Sequence, residues 1–331
     1  VLGKQTKTNV AIMYLDGIAD NQVLSELKRR LDNIEVDAIL ESGYIEEYIE
    51  DAPFSPFSTV GYSEKPDVAA AKILEGRIIL IVDGTPFVIT LPLIFIENFQ
   101  SAEDYYIRPL YASIIRFLRY ISFFITVFSP GLYLALTTFN QELVPTTLLI
   151  TIAVAREQTP FPAVIEALIM IFAFEILKEA GIRLPKPTGQ AISIVGALIM
   201  GEAAISAGFV GAPMVITIGI TAVAAFLIPN QNESTIVIRL IMVFLGAFLG
   251  LFGIAMGFLG LLIHLASLNS FGIPYFDGLS RISNLKDSFI RVPFWMMNNR
   301  PKNISGNNKK RRKTFIPSFR PYENDKKEDE K

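Results

Sequence analysis

Three carboxylates stand where carboxylates are expensive. Glu166, Glu175 and Glu202 lie in Ser113–Ser270, a 158-residue stretch with only 7 Lys+Arg and 7 Asp+Glu. A charge at the centre of a membrane helix costs on the order of 3 kcal/mol on insertion scales, so such groups face water or a partner. Their chemistry would be to line an ion path, with an interhelical polar contact as the alternative. Glu166 and Glu175 are nine residues apart, which at about 100° per residue sets them on opposite helix faces. Glu175, Lys178 and Glu179 are spaced i, i+3, i+4 and could neutralise one another near a membrane edge. Glu202 is flanked by glycine and alanine. Arg156 and Glu157 form a local charge pair in a connection, or part of a gate. Arg239 opens a long apolar run, where snorkelling towards the interface accounts for it.

Other chemistries lack parts. The chain has no cysteine and one histidine, His264, so Cys/His metal sites and His-based triads are excluded, and His264 is expected to make a structural hydrogen bond at a membrane edge. No GxGxxG or GxxxxGK[ST] pattern occurs in the glycine run. No metal, cofactor or catalytic constellation is expected, and no enzyme.

The elements that would position these groups are mostly membrane helices. Phe117–Phe139, Pro162–Ile176, Ala191–Phe209, Met214–Ile228 and Ile236–Leu268 approach the roughly 20 apolar residues that span a bilayer. Leu143–Ala155 reads as a re-entrant, interfacial or short span. Gln190–Ala207 and Ala212–Pro229 read as a hairpin of short spans. Ile236–Leu268 would make a helix of about 50 Å, so it must project from the bilayer or break within it. Within it, Gly246, Gly250, Gly253, Gly257 and Gly260 alternate in steps of 4 and 3. On a helix they form one narrow stripe, a seam for close helix packing within a subunit or between subunits.

Charge divides the chain of 331 residues into an acidic head (9 Lys+Arg, 18 Asp+Glu over 1–112), the apolar middle, and a basic tail from Phe271 (14 and 7). The fold class is an α-helical integral membrane domain of four to six spans preceded by a small cytosolic α/β module. Its divisions are 1–100 (module), 101–116 (juxtamembrane hinge), 117–268 (membrane domain) and 269–331 (polar, basic tail with a disordered end). In the module, Asn9–Gly17 and Val36–Leu40 read as strands. Asp20–Ile34, Ser42–Ile49 and Asp67–Gly76 read as helices, and Arg77–Pro92 as a hairpin around Asp-Gly. Tyrosines interleave with Arg108, Arg116 and Arg119 within Glu97–Arg119, as suits a cytoplasmic headgroup zone. The basic run Lys309–Lys313 places the tail inside as well, which requires an even number of crossings. The opening at Val1 suggests a fragment.

The strings AREQTPFPAVIEALIMIFAFEILKEAGIRLPKPTGQAISIVGALIMGEAAISAG (from Ala155) and LGLFGIAMGFLGLLIHLASLNSFGIPY (from Leu249), with TKTNVAIMYLDG near the start, closely resemble the A-subunit family of bacterial spore germinant receptors (GerA type), from about Gly3 to Tyr275. The resemblance implies a non-enzymatic role in the spore inner membrane, beside a transporter-like, nutrient-sensing B subunit and a lipoprotein C subunit. It implies homo-oligomerisation into a nutrient-gated ion channel, and a further cytosolic subdomain upstream. The family's usual residue at position 202 is an uncharged glutamine, from which Glu202 departs. A non-conducting scaffold or signalling subunit is the competing expectation. No nucleic-acid partner is expected.

Overall fold

The computed structural model describes residues 1–183, 186–276, 287–297, 300 and 304–306. The basic run Lys309–Lys313 and the chain end lie outside the described residues. Among the described residues the fold is mostly helical, with one four-stranded sheet and one two-stranded ladder.

Strands β1 (Val10–Met13), β2 (Gly61–Ser63), β3 (Ile78–Val82) and β4 (Val88–Leu91) form a sheet of order β1-β3-β4-β2 with every pairing antiparallel. β3 and β4 are the hairpin expected from Asp83-Gly84. Helices α1 (Asn21–Asp32), α2 (Ser42–Ile49) and α3 (Pro66–Glu75) accompany the sheet. The Asp20 carboxylate caps α1 by accepting from Gln22 N–H at 2.8 Å, and Val23, Leu24, Leu27 and Leu31 turn one buried face to the core. Val36–Leu40, expected as a strand, is irregular. Its polar groups are taken by the N-terminal loop: Lys4 N–H donates to Val36 O, Gln5 N–H to Asp37 O, and Ile39 N–H to Thr6 Oγ1.

Residues beyond 268, read as a polar tail, enter the module. The short ladder β5 (Asn269–Ser270) and β6 (Ile273–Pro274) carries Phe271 and Ile273 into the core that holds Leu27, Ile45, Ile78 and Leu80, and Ile304 joins them. Ser270 Oγ accepts from Leu93 N–H and donates to Thr59 O, and Phe271 N–H donates to the Asp51 carboxylate.

The remaining helices are α4 (Pro109–Thr138), α5 (Thr146–Glu157), α6 (Ala163–Ile182), α7 (Lys186–Ser206), α8 (Ala212–Phe226) and α9 (Asn232–Ser267). Among the described residues two segments are long and apolar enough to cross a membrane, Pro109–Thr138 and Pro229–Ser267. The second does not run straight. As one helix, α9 would extend about 54 Å. Yet Ser234 near its start donates to Pro56 O at 2.6 Å, and His264 near its end bonds Ser55 Oγ at 2.9 Å. The chain reverses at Gly250, whose φ of 63° and ψ of −146° are non-helical. That region is essentially open to glycine alone. Asn140, just past α4, accepts from Leu251 N–H at 3.2 Å and so caps the returning half.

The glycines therefore do not form one stripe, which corrects the seam expected over Gly246–Gly260. Gly246 lies against the backbone of Gly131 in α4. Gly250 is the turn. Gly253 and Gly257 let the returning half close on Leu245, Leu249 and Met242 of the outgoing half, while Gly260 has open space. The period of the pattern could not reveal this, because a hairpin with close-packed legs asks for small residues as a seam does.

Six helical legs result among the described residues. α4 leads away from the module, with Gly131 beside Met242 and Gly246, and Phe139 beside Gly250, so the outgoing half of α9 runs parallel to it. α6 begins beside Gly211 at the far end and reaches Asn232 at the module end. α7 passes Leu177 of α6 and Val215 of α8 on its way out. α8 leads back to Ile228, which packs in a cluster with Phe57 and Tyr275. The returning half of α9 is the sixth. α5 is no leg: only Ile152 is buried, and its C-terminal end meets the α7–α8 connection at Gly208 and Gly211.

These contacts separate the glycines experimentally. Gly246→Val drives a side chain into the Gly131 carbonyl and should cost at least 1–3 kcal/mol, the usual range for overpacking, whereas Gly260→Ala should be neutral or stabilise by up to about 1 kcal/mol. Thermal unfolding of both variants in detergent measures the difference; equal effects would contradict the packing.

Candidate functional site

Glu175 is the hub of a buried charge centre where α6 meets α9. Its Oε1 accepts from Arg239 Nη1 at 3.2 Å, and its Oε2 lies 3.6 Å from Lys178 Nζ, one helical turn on. Lys178 also donates to Asn232 Oδ1 at 3.1 Å. Arg239 is 1% exposed, which overturns the snorkelling expected for it: the side chain turns inward because a carboxylate is there to receive it. One carboxylate faces two cations, and among the described residues Arg239 Nε and Nη2 have no hydrogen-bond partner. Glu179, expected to share this group, instead pairs outward with Arg183 at 2.8 Å.

Glu166 lies at the other end of α6. It is 1% exposed; Oε1 accepts from Thr159 Oγ1 at 2.9 Å and Oε2 from Gly211 N–H at 3.1 Å. The carboxylate ties the connection before α6 to the start of α8, where the helix dipole also favours a negative charge. Arg156 approaches the same Gly211, but it forms no ion pair with Glu157 among the described residues. Its Nε is buried and has no hydrogen-bond partner among the described residues. Glu202 stands apart from both. It borders an apolar cleft of about 560 Å³ between α6, α7 and α8, among Met170, Phe174, Leu198 and Val215. Glu166, Glu175 and Glu202 are thus not brought to one wall.

A second charged region fastens the base of α4, where residues 101–116 were read as a hinge. Asp104 accepts from Arg116 Nε at 3.0 Å and from both Arg119 terminal nitrogens, at 2.7 and 2.9 Å. Burial alone would raise the Asp104 carboxyl, but the Arg119 and Arg116 guanidiniums hold it below its ordinary range. Arg116 also reaches Asp287, and Arg291 stacks on Phe294 at 4.6 Å, so residues 287–297 bind the same base. Glu97 is likewise held low against its burial by Arg77 and Lys72. A polar cavity of about 370 Å³ lies between module and legs, bordered by Glu46, Glu97, Glu175, Lys178, Gln231 and Glu233 among others.

Several of these partnerships had no local signal. Arg239 and Glu175 are 64 residues apart, Asn140 and Leu251 111, and Ser55 and His264 209. The one clue in the sequence was Arg239 itself, an arginine four residues inside an apolar run.

A family model described as Bacillus/Clostridium GerA spore germination protein matches residues 1–303. The chain is 48% identical over 321 residues to an uncharacterized membrane protein, YfkQ, of Bacillus subtilis, covering 96% of this chain and 63% of that protein. It is 49% identical over 313 residues to B. subtilis spore germination protein KA (93% and 58%) and 41% identical over 312 residues to spore germination protein A1 (93% and 64%). The chain spans about three fifths of the length of these curated relatives. The crystal structure of the N-terminal domain of the A subunit of the Bacillus megaterium spore germinant receptor GerK3 matches at 51% identity, covering 28% of this chain and 37% of that one, with a TM-score of 0.23.

The charge centre makes an ordered prediction. Glu175→Leu strands two buried cations and should cost about 3–5 kcal/mol, the usual cost of breaking a buried pair. Arg239→Met leaves Glu175 with Lys178 and should cost less, and the double variant should recover part of the loss. Denaturant titration of the three proteins tests it; a neutral Glu175→Leu would refute the assignment.

Proposed function

The chain belongs to the GerA spore germination protein family, and from that premise we propose that it is part of the A subunit of a nutrient germinant receptor that triggers spore germination. The observation that carries the membrane reading is the inversion of polarity around the legs. Phe172, Phe248, Phe252 and Ile263 are exposed on the outside, while Arg239, Glu166 and Lys178 are buried inside. Soluble proteins do not expose apolar surface on this scale. In this reading the six legs cross the spore inner membrane, and the module and the returning chain lie together on the cytoplasmic side. A transporter-like B subunit and a lipoprotein C subunit are the proposed partners.

We further propose that the chain acts as an oligomeric, nutrient-gated ion channel subunit. The engagement of Glu166 and Glu175 by protein partners argues against a path through the interior of one chain. Ions would pass between copies, past faces such as that of α5, where Leu148, Ile150 and Val154 are more than half exposed. The same engagement favours a second reading, a non-conducting scaffold that couples a sensing partner to a separate effector.

Liposomes holding the chain with its partners should show ion flux on nutrient addition. Two cysteines per copy, Leu148→Cys together with Phe248→Cys in this cysteine-free chain, should cross-link copies into a closed homomeric ring. Absence of flux with partners present, together with heteromeric cross-links alone, would select the scaffold.

A further inference from the structure

The loop from Ser55 to Val60 holds both ends of the doubled helix α9. Pro56 O accepts from Ser234 and Ser55 bonds His264. Two residues further, Ser58 Oγ lies 3.2 Å from Glu46 Oε1, 2.7 Å from Glu50 Oε1 and 2.7 Å from Val60 O. A hydroxyl has one proton to give. If it goes to either nearer acceptor, Glu46 has no donor there unless Glu46 itself carries a proton and donates to Ser58.

The charged surroundings repeat this shortage. On its own helix and cap Glu46 faces Glu50 and Glu41, and from the start of α9 it feels Glu233. From β2 the nearby titratable group is Tyr62. Across the shared cavity stand Glu175, Lys178 and Glu179 of α6, and Lys72 with Glu97 of the module. Both lysines are engaged, Lys178 by Glu175 and Lys72 by Glu97. Among the described residues no basic side chain pairs with Glu46 or Glu233. Burial, then the Glu50 and Glu233 charges, push the Glu46 carboxyl from 4.5 up to about 7.

We propose that Glu46 is a proton-binding residue whose charge state sets how firmly the module's Ser55–Val60 loop, and with it both ends of α9, is seated on the helical legs. The sign follows from linkage. The folded chain holds this proton more tightly than the unfolded chain, so the seating is strongest below pH 4.5 and is lost as pH rises through about 7. Once ionised, Glu46 repels Glu233 across the joint and competes with Glu50 and Val60 O for the one Ser58 proton. The inference does not depend on ion conduction.

The full chain in lipid nanodiscs tests it, with spin labels at Tyr48→Cys on α2 and Val237→Cys on α9, both exposed positions. The label distance should be narrow at acid pH and broaden with a midpoint near neutrality. Glu46→Gln should keep the acid form throughout pH 5.5–8.5, and Glu233→Gln, at an exposed site, should move the midpoint towards acid. A pH-invariant distance in the parent, or an unchanged transition in Glu46→Gln, overturns the proposal. Should Glu46→Gln fail to fold, an unmoved midpoint in Glu233→Gln overturns it equally.

Discussion

The backbone contact between Gly131 and Gly246 is the constraint on which the helical part depends. It draws α4 and the outgoing half of α9 together until no side chain fits between them, and so brings the end of α4 to the place where α9 must turn. There Asn140 supplies the acceptor that Leu251 N–H lacks after the break. A hairpin in a long apolar helix needs three things at once: a residue free to take a positive φ, a cap from elsewhere, and legs thin enough to close. Gly250, Asn140 and the pair Gly253–Gly257 provide them.

Polar groups inside the legs follow a consistent rule. Each carboxylate that burial would penalise has a structural partner: Glu166 the Gly211 N–H, Glu175 Arg239, Asp104 Arg116. Among the described residues the uncompensated atoms include guanidinium nitrogens of Arg239, Arg116 and Arg156, with Thr126 Oγ1 and Gln231 Oε1 beside them. Guanidiniums tolerate this better than carboxylates, because their charge is spread over three nitrogens and weakly hydrated. The exception among the carboxylates, Glu46, lies where module meets legs.

What the sequence disclosed was whatever is encoded over a short span. The Asp20 cap, the apolar face of α1 and the Asp83-Gly84 hairpin all depend on residues within a few positions. The Gly250 break was half legible: the length of Ile236–Leu268 demanded a break or a projection, but nothing local distinguished the turn glycine from the packing ones. Arg239, Val36–Leu40 and Phe271 were misread for one reason. Each is decided by a partner tens to hundreds of residues away, and apolar or charged character alone does not say which surface will be offered.

The seating of Phe271, Ile273 and Ile304 in the module core has a consequence for the order of assembly. The sheet and its helices are synthesised first, but three of the side chains that fill their interior arrive only after all six legs have been made. During synthesis the module therefore waits with an open core, and closes only when the chain's late segment returns to it. Loop closure over such a distance is slow, and an uncovered apolar interior is a hazard in the meantime. Completion of the module thus waits on synthesis of the legs, and the head and the helices are finished together.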